Sequence, residues 1–292
     1  MYSSGVGFVG FFTAANDVNI VILIMLVFSL DFMINHLKQR NKSAFFYMVT
    51  TILIIVGLIL IGSKASAIIG SFIILTYFVK TILKANKVDK IRIMLGSLGL
   101  LIIGAFLFTI LFLEEATRAF ERHSYLFQRD FLEDGSFWSF ILTNRDGFLV
   151  ASTNAFLESE NIGVRLLFGV GKHQHSLDSG LAFGGTAPII IEMDLFDIFF
   201  FSYGVIGSLL IYTYFLVNFY RVIKIKDIFK DNFRFLFSFF IFTCYSFWAG
   251  HVMVSATAGS YYALITCGLV ALHQQYKVTK YKEKNSVRRV IV

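Results

Sequence analysis

The densest set of chemically capable residues lies in the acidic middle of the chain. The run Glu192-Met193-Asp194-Leu195-Phe196-Asp197 puts three carboxylates into six residues at the head of an apolar segment. Two readings are open for it. Acids at a helix N-terminus complement the helix dipole. Asp194 and Asp197, three apart, also share a helix face, and paired carboxylates at a membrane edge supply a general base whose proton affinity the neighbour raises. Upstream, Leu167-Phe168-Gly169-Val170-Gly171-Lys172-His173-Gln174-His175 joins two glycines to two histidines. The glycines let backbone approach a ligand closely. In a strand, His173 and His175 would face one way, a spacing that suits a metal pair. No ligand cluster completes the set, so no metal is expected. There is no GxxxxGK[ST] phosphate loop and no CxxC.

Two cations stand apart from this stretch. Lys64, in Gly62-Ser63-Lys64-Ala65-Ser66, lies between two apolar segments. It is either a snorkelling lysine in a turn or a cation for a phosphate-bearing substrate. Arg145, in Thr143-Asn144-Arg145-Asp146, either pairs with a loop acid or offers its fork to a diphosphate.

The elements that must position these residues are membrane helices. The chain has 292 residues, of which 57% are hydrophobic and only 15% charged. Its mean hydropathy is +0.71. A soluble chain so apolar would expose large adhesive patches. Seven segments are long enough to span, at 18–37, 44–61, 65–83, 93–113, 195–220, 235–250 and 256–273. Asp17 and Asp31 sit at or inside the first, and the sixth is short. Cys244 and Cys267 fall within apolar segments as packing residues. Residues 1–6 carry no Lys or Arg, so no cleavable signal peptide is expected.

The net charge of +7 is explained by where the cations lie. Lys38, Arg40 and Lys42 follow the first segment; Lys84, Lys87, Lys90 and Arg92 follow the third; Arg221, Lys224, Lys226, Lys230 and Arg234 follow the fifth. Lys277, Lys280, Lys282, Lys284, Arg288 and Arg289 fill the tail. Seven spans place all four clusters on one side, which the positive-inside rule makes cytoplasmic, with the N-terminus out and the C-terminus in. No basic stripe interleaves with aromatics outside the apolar segments, so nucleic-acid binding is excluded.

The opposite side is acidic. From Glu114 to Asp197 there are thirteen Asp and Glu against six Lys and Arg. A loop of that length calls for structure of its own, with a short helix expected near 144–159. The expected fold is therefore an all-α integral membrane protein of about seven transmembrane helices with one long external loop containing short helices. It divides into a four-helix N-terminal bundle at 1–113, the external loop at 114–194, and a three-helix bundle with a basic tail at 195–292.

Read in order, the motifs resemble the O-antigen ligase and O-antigen polymerase superfamily of bacterial surface-polysaccharide assembly. Gly10-Phe11-Phe12-Thr13-Ala14-Ala15-Asn16 is similar to that family's entry to a helix, and Gly62-Ser63-Lys64-Ala65 to its serine-arginine turn, with Lys64 in the arginine place. Asn144-Arg145 resembles the loop arginine that precedes Phe168-Gly169-Val170-Gly171. Asp194 and then Tyr203-Gly204-Val205-Ile206-Gly207 resemble the closing block, where Glu192-Met193 stand in place of the family's histidine. Family members have more spans, so this chain is expected to be a C-terminal portion of the usual length.

The resemblance implies a metal-independent glycosyltransferase with no cofactor, in a bacterial cytoplasmic membrane. It would join polyprenyl-diphosphate-linked repeat units on the outer face, as a capsule or exopolysaccharide polymerase. Arg145, Lys64 and Arg165 would hold the diphosphate, and Glu192, Asp194 or His175 would take the acceptor proton. Gly169, Gly171, Gly204 and Gly207 would be structural. The implied partners are the polyprenyl-diphosphate-linked oligosaccharide, membrane lipid, and flippase and chain-length-control proteins. A ligase, or a lipid-linked saccharide flippase, is the alternative.

Topology is directly testable. With the native thiols removed, a membrane-impermeant thiol reagent on intact cells should label Ser136→Cys and leave Ser286→Cys unlabelled. The reverse pattern would invert the orientation.

Overall fold

A computed structural model describes residues 15–39, 41–61, 63–84, 145–158, 161–170, 193–194, 201–223, 233–248, 252–253 and 255–290, with isolated positions between 117 and 128. Every extended element among them is a helix: α1 (Ala15–Lys38), α2 (Ser43–Ile61), α3 (Lys64–Lys84), α4 (Arg145–Leu157), α5 (Ile162–Phe168), α6 (Gly204–Ile223), α7 (Phe233–Trp248) and α8 (Ala256–Val290). The expected fourth span, 93–113, lies outside the described residues. The chain divides into two compact units, 1–146 and 147–292, a boundary that falls inside the expected loop segment.

Three helices, Asn16–Lys38, Ser43–Ile61 and Ala65–Leu83, are long and apolar enough to cross a membrane, and Gly204–Tyr220 and Phe233–Ser246 are shorter apolar helices. This is a membrane protein by the length and composition of its helices. The helices start where small polar residues can accept their first amide protons. Asn41 Oδ1 accepts the Ser43 N–H at 3.1 Å, and Ser63 Oγ accepts that of Ser66 at 3.4 Å. Ser255 Oγ accepts those of Thr257 and Ala258 at 3.2 and 3.3 Å. With one proline in the chain, little interrupts the runs that follow.

In the first unit α1 is the central helix. Of its apolar window 72% is buried, against 22% for α2 and 33% for α3. Polar pairs fix the register. The Ser66 hydroxyl donates to Asn19 Oδ1 near the start of α1, and Lys80 Nζ lies 3.5 Å from Asp31 Oδ1 farther along. Both partners advance together, so α1 and α3 run parallel. Ser29 and Thr51 share a hydrogen bond of 2.7 Å, while Gly57 lies against Ile22, so α2 runs antiparallel to α1. The up–down–up order is the one consecutive crossings require.

The Asp31–Lys80 pair places two charges inside apolar helices. Asn35 Nδ2 donates to Asp31 Oδ2 at 3.2 Å, and Lys80 Nζ also lies 5.1 Å from the centre of the Tyr77 ring. Beside them His36 Nδ1 is 2.9 Å from the Phe32 carbonyl, and its ring lies 4.7 Å from that of Tyr47. Within a bilayer an isolated charge is costly, and a neighbouring opposite charge offsets that cost.

In the second unit the expected fifth span, 195–220, is not one continuous helix. Residues 201–202 form a π-helical turn, Tyr203 bends, and α6 begins at Gly204 with φ +60°. Hydropathy registers no break there because both sides are apolar; the left-handed glycine makes it. The expected seventh span, 256–273, is the first half of a 35-residue helix.

The ion pair generates a prediction. Asp31→Leu and Lys80→Leu should each lower the unfolding midpoint of the detergent-purified protein. The double variant should recover part of the loss, with a coupling energy of about 1–3 kcal/mol. Strictly additive losses would mean the two charges do not act as a pair.

Candidate functional site

The second unit brings two of the sequence motifs together at a single backbone crossing. α5 opens after Asn161, which is itself left-handed at φ 58°, and closes at Gly169, φ 78°. The Gly169 N–H donates to the Arg165 carbonyl at 2.7 Å, and the Val170 N–H donates to the Phe201 carbonyl at 2.9 Å. The chain thus passes directly over residues 201–204. A Cβ on Gly169 would fall on the Ser202 carbonyl and 2.7 Å from the Tyr203 nitrogen. One on Gly204 would lie 2.5 Å from the Gly169 nitrogen and 2.6 Å from the Leu167 carbonyl carbon. No side chain fits at either place, and both backbones are in the left-handed region that glycine tolerates. The close approach expected of Gly169 is made to the chain's own backbone. Gly207 lies within the first turn of α6, against Tyr203.

Asp194 is buried, with 1% of its surface exposed. Its Oδ2 accepts the Met253 N–H at 2.6 Å, a tie across 59 residues to the turn ahead of α8. One carboxylate oxygen is thereby engaged in holding the fold. Phe156 of α4 packs edge-on against Phe201, with ring centres 5.4 Å apart, which holds α4 to the same junction.

The remaining predicted residues are distributed as follows. Arg165 is half-buried in α5, one turn before Gly169. Arg145 is the half-buried first residue of α4 and falls in the first unit, whose boundary follows Asp146. Lys64 is the first residue of α3, also in the first unit, at a helix end whose dipole disfavours a cation. His173, His175, Gly171, Glu192 and Asp197 lie outside the described residues. Among the described residues no three His, Cys, Asp or Glu side chains gather.

Residue types alone did not reveal an aromatic groove between α6, α7 and the start of α8. It encloses about 280 Å³ and is lined by Phe215, Phe219, Phe239, Cys244, Met253 and Tyr262, among others. Tyr262 organises it, with its ring stacked 4.2 Å from Phe242 and 5.4 Å from Phe239 and its hydroxyl 3.4 Å from that of Thr243. The abundance of Phe was the available signal, but abundance carries no pairing. Met253 joins the groove to the Asp194 tie.

The crossing predicts unequal costs for one kind of substitution. Gly169→Ala and Gly204→Ala should each cost at least about 1–3 kcal/mol from backbone strain. Gly163→Ala, in α5 with nothing within 4 Å of its added carbon, should be neutral or stabilising. Thermal unfolding of the three purified variants measures this; equal midpoints would deny the crossing its structural role. Comparison of the chain with protein-family models, with curated proteins and with solved structures finds no match.

Proposed function

We propose that the chain is a multi-pass membrane glycosyltransferase of bacterial surface-polysaccharide assembly, a polymerase related to the O-antigen ligase and polymerase superfamily. One observation carries this reading. Two of the blocks that resemble the family, Phe168-Gly169-Val170-Gly171 and Tyr203-Gly204-Val205-Ile206-Gly207, meet backbone to backbone at Gly169 and Gly204. Arg165 stands one turn before that crossing, and buried Asp194 precedes its second strand of chain. In this reading seven spans cross the membrane, with the N-terminus out, the C-terminus in and the segment between the fourth and fifth spans outside.

In the proposed reaction a sugar hydroxyl of one lipid-linked repeat unit attacks the anomeric carbon of a second glycan. The bond from that carbon to the diphosphate oxygen breaks, and polyprenyl diphosphate leaves. Asp194, Glu192 or His175 takes the hydroxyl proton. The Arg165 fork neutralises the charge that develops on the leaving diphosphate, a role the resemblance also gives to Arg145 and Lys64. The lipid stays in the bilayer while the sugars meet at its edge. A flippase for lipid-linked saccharides is the second reading, favoured by the Asp31–Lys80 pair within the first unit, since transporters carry polar groups inside their spans.

The test is glycan polymerisation in membranes from a strain lacking this chain, restored with each variant at matched protein level. Without the chain, only single repeat units should accumulate outside. Arg145→Lys keeps the charge but loses the planar fork. Loss of one or two charge-assisted hydrogen bonds, at roughly 1.5–3 kcal/mol each, should slow transfer at least about tenfold. If Arg145 only pairs with a loop acid, Arg145→Lys should be nearly silent, because lysine keeps the charge and a pair that solvent reaches contributes ~0–1 kcal/mol. Wild-type rates for Arg145→Lys and Arg145→Ala would remove this residue from the site. Repeat units retained inside the cell would favour the flippase.

A further inference from the structure

The short helix α5 has a composition at odds with its surroundings. Its sequence, Ile162-Gly163-Val164-Arg165-Leu166-Leu167-Phe168, holds one charge and five large apolar side chains. None of its residues is buried. Val164 is 61% exposed and Phe168 63%, and Ile162, Leu166 and Leu167 are exposed as well. At 100° per residue these positions surround the helix. α5 therefore does not rest an apolar face on the unit's own core; it projects apolar side chains all round.

It is nonetheless firmly held. The Gly169–Gly204 crossing and the Val170-to-Phe201 hydrogen bond fix its C-terminal end against the first residue of α6. Exposed apolar side chains follow on α6 as well. Tyr203, Ile206, Leu209 and Leu210, in the bend and first turns of α6, are all exposed. A tyrosine with an apolar body and a polar tip belongs at a membrane–water boundary. Tyr203 thus marks the level at which α6 would enter the bilayer, and α5 is joined at that level. Arg165, the only charged residue of α5, has a long stem suited to reach phosphate headgroups from such a depth.

We propose that α5 is a bilayer-seated anchor, with Val164, Leu167 and Phe168 lying at the boundary of headgroups and acyl chains beside the head of α6. The occupant of this surface is phospholipid. The proposal rests on reading α6 as a membrane helix. It adds that the region between the fourth and fifth spans is pinned to the membrane surface at α5, which holds Arg165 at the depth of lipid phosphates.

Site-directed spin labelling of the full chain in phospholipid bilayer discs tests it. In a Cys244→Ala, Cys267→Ala background, single cysteines replace Val164, Phe168, Leu210 on α6 and Asn154 on α4, all exposed positions. Collision with oxygen, which concentrates in lipid, is compared with collision with a water-soluble nickel chelate. Labels at 164 and 168 should show an oxygen-to-nickel ratio several-fold above that at 154 and close to that at 210. Water-like ratios at 164 and 168 with a lipid-like ratio at 210 would overturn the anchor and leave α6 in the membrane. A water-like ratio at 210 as well would overturn both readings. Labels at 164 and 168 reached by neither reagent would mean that protein covers α5, which also overturns the proposal.

Discussion

The second unit depends on one contact, the passage of backbone over backbone at Gly169 and Gly204. Two chain segments more than thirty residues apart in sequence meet there with no side chain between them. The constraint is steric before it is energetic: a carbon atom at either position would occupy space that the other segment's backbone already fills. From this contact follow the end of α5, the bend at Tyr203 and the late start of α6. The hydrogen bond from Val170 to Phe201 and the packing of Phe156 on Phe201 build outward from the same point. The Asp194–Met253 bond ties the approach to this junction to the entry of α8.

The first unit solves a different problem. Its helices are too apolar for hydrophobic burial to select a register inside a bilayer, where lipid is as apolar as the helix surface. Polar pairs make the selection instead. Asn19–Ser66 and Asp31–Lys80 clamp α1 to α3 at two levels, and Ser29–Thr51 joins α1 to α2 between them. Gly70 of α3 sits beside Leu58 of α2 and Leu23 of α1, where the three helices meet. Direction and register thus follow from a few residues, while the remaining apolar side chains fill space.

Much of this was legible from sequence, and the reasons for the remainder are physical. The segments 18–37, 44–61 and 65–83 coincide within a few residues with α1, α2 and α3, because long apolar runs bounded by Asn41 and Ser63 state both length and ends. The late start of α6 was not legible: a hydropathy window averages over Gly204 and registers nothing of its dihedral angle. Nor was the far end of α8, since Lys and Gln end an apolar window yet are good helix formers. At the site, Gly169 was recognisable as a glycine that permits close approach and Gly204 as a structural glycine of the resembling block, but not as each other's partners. The Asp194–Met253 bond uses a backbone N–H, a group every residue but proline possesses, so no residue type announces it. The parallel course of α1 and α3 could be inferred from alternation, but the pairing of Asp31 with Lys80 could not.

The unbroken length of α8 has a mechanical consequence. Thirty-five residues at 1.5 Å each make a rod of about 52 Å, and it starts three residues after the Met253 amide held by Asp194. A rod so long acts as a lever. A pivot of about 5° at the Met253 end displaces the Val290 end by roughly 4–5 Å, by the geometry of that length. A small tilt at the entry of α8 is therefore magnified along the rod. The bond that fixes the entry of α8 thus bears on where the far, lysine-rich end of the chain lies.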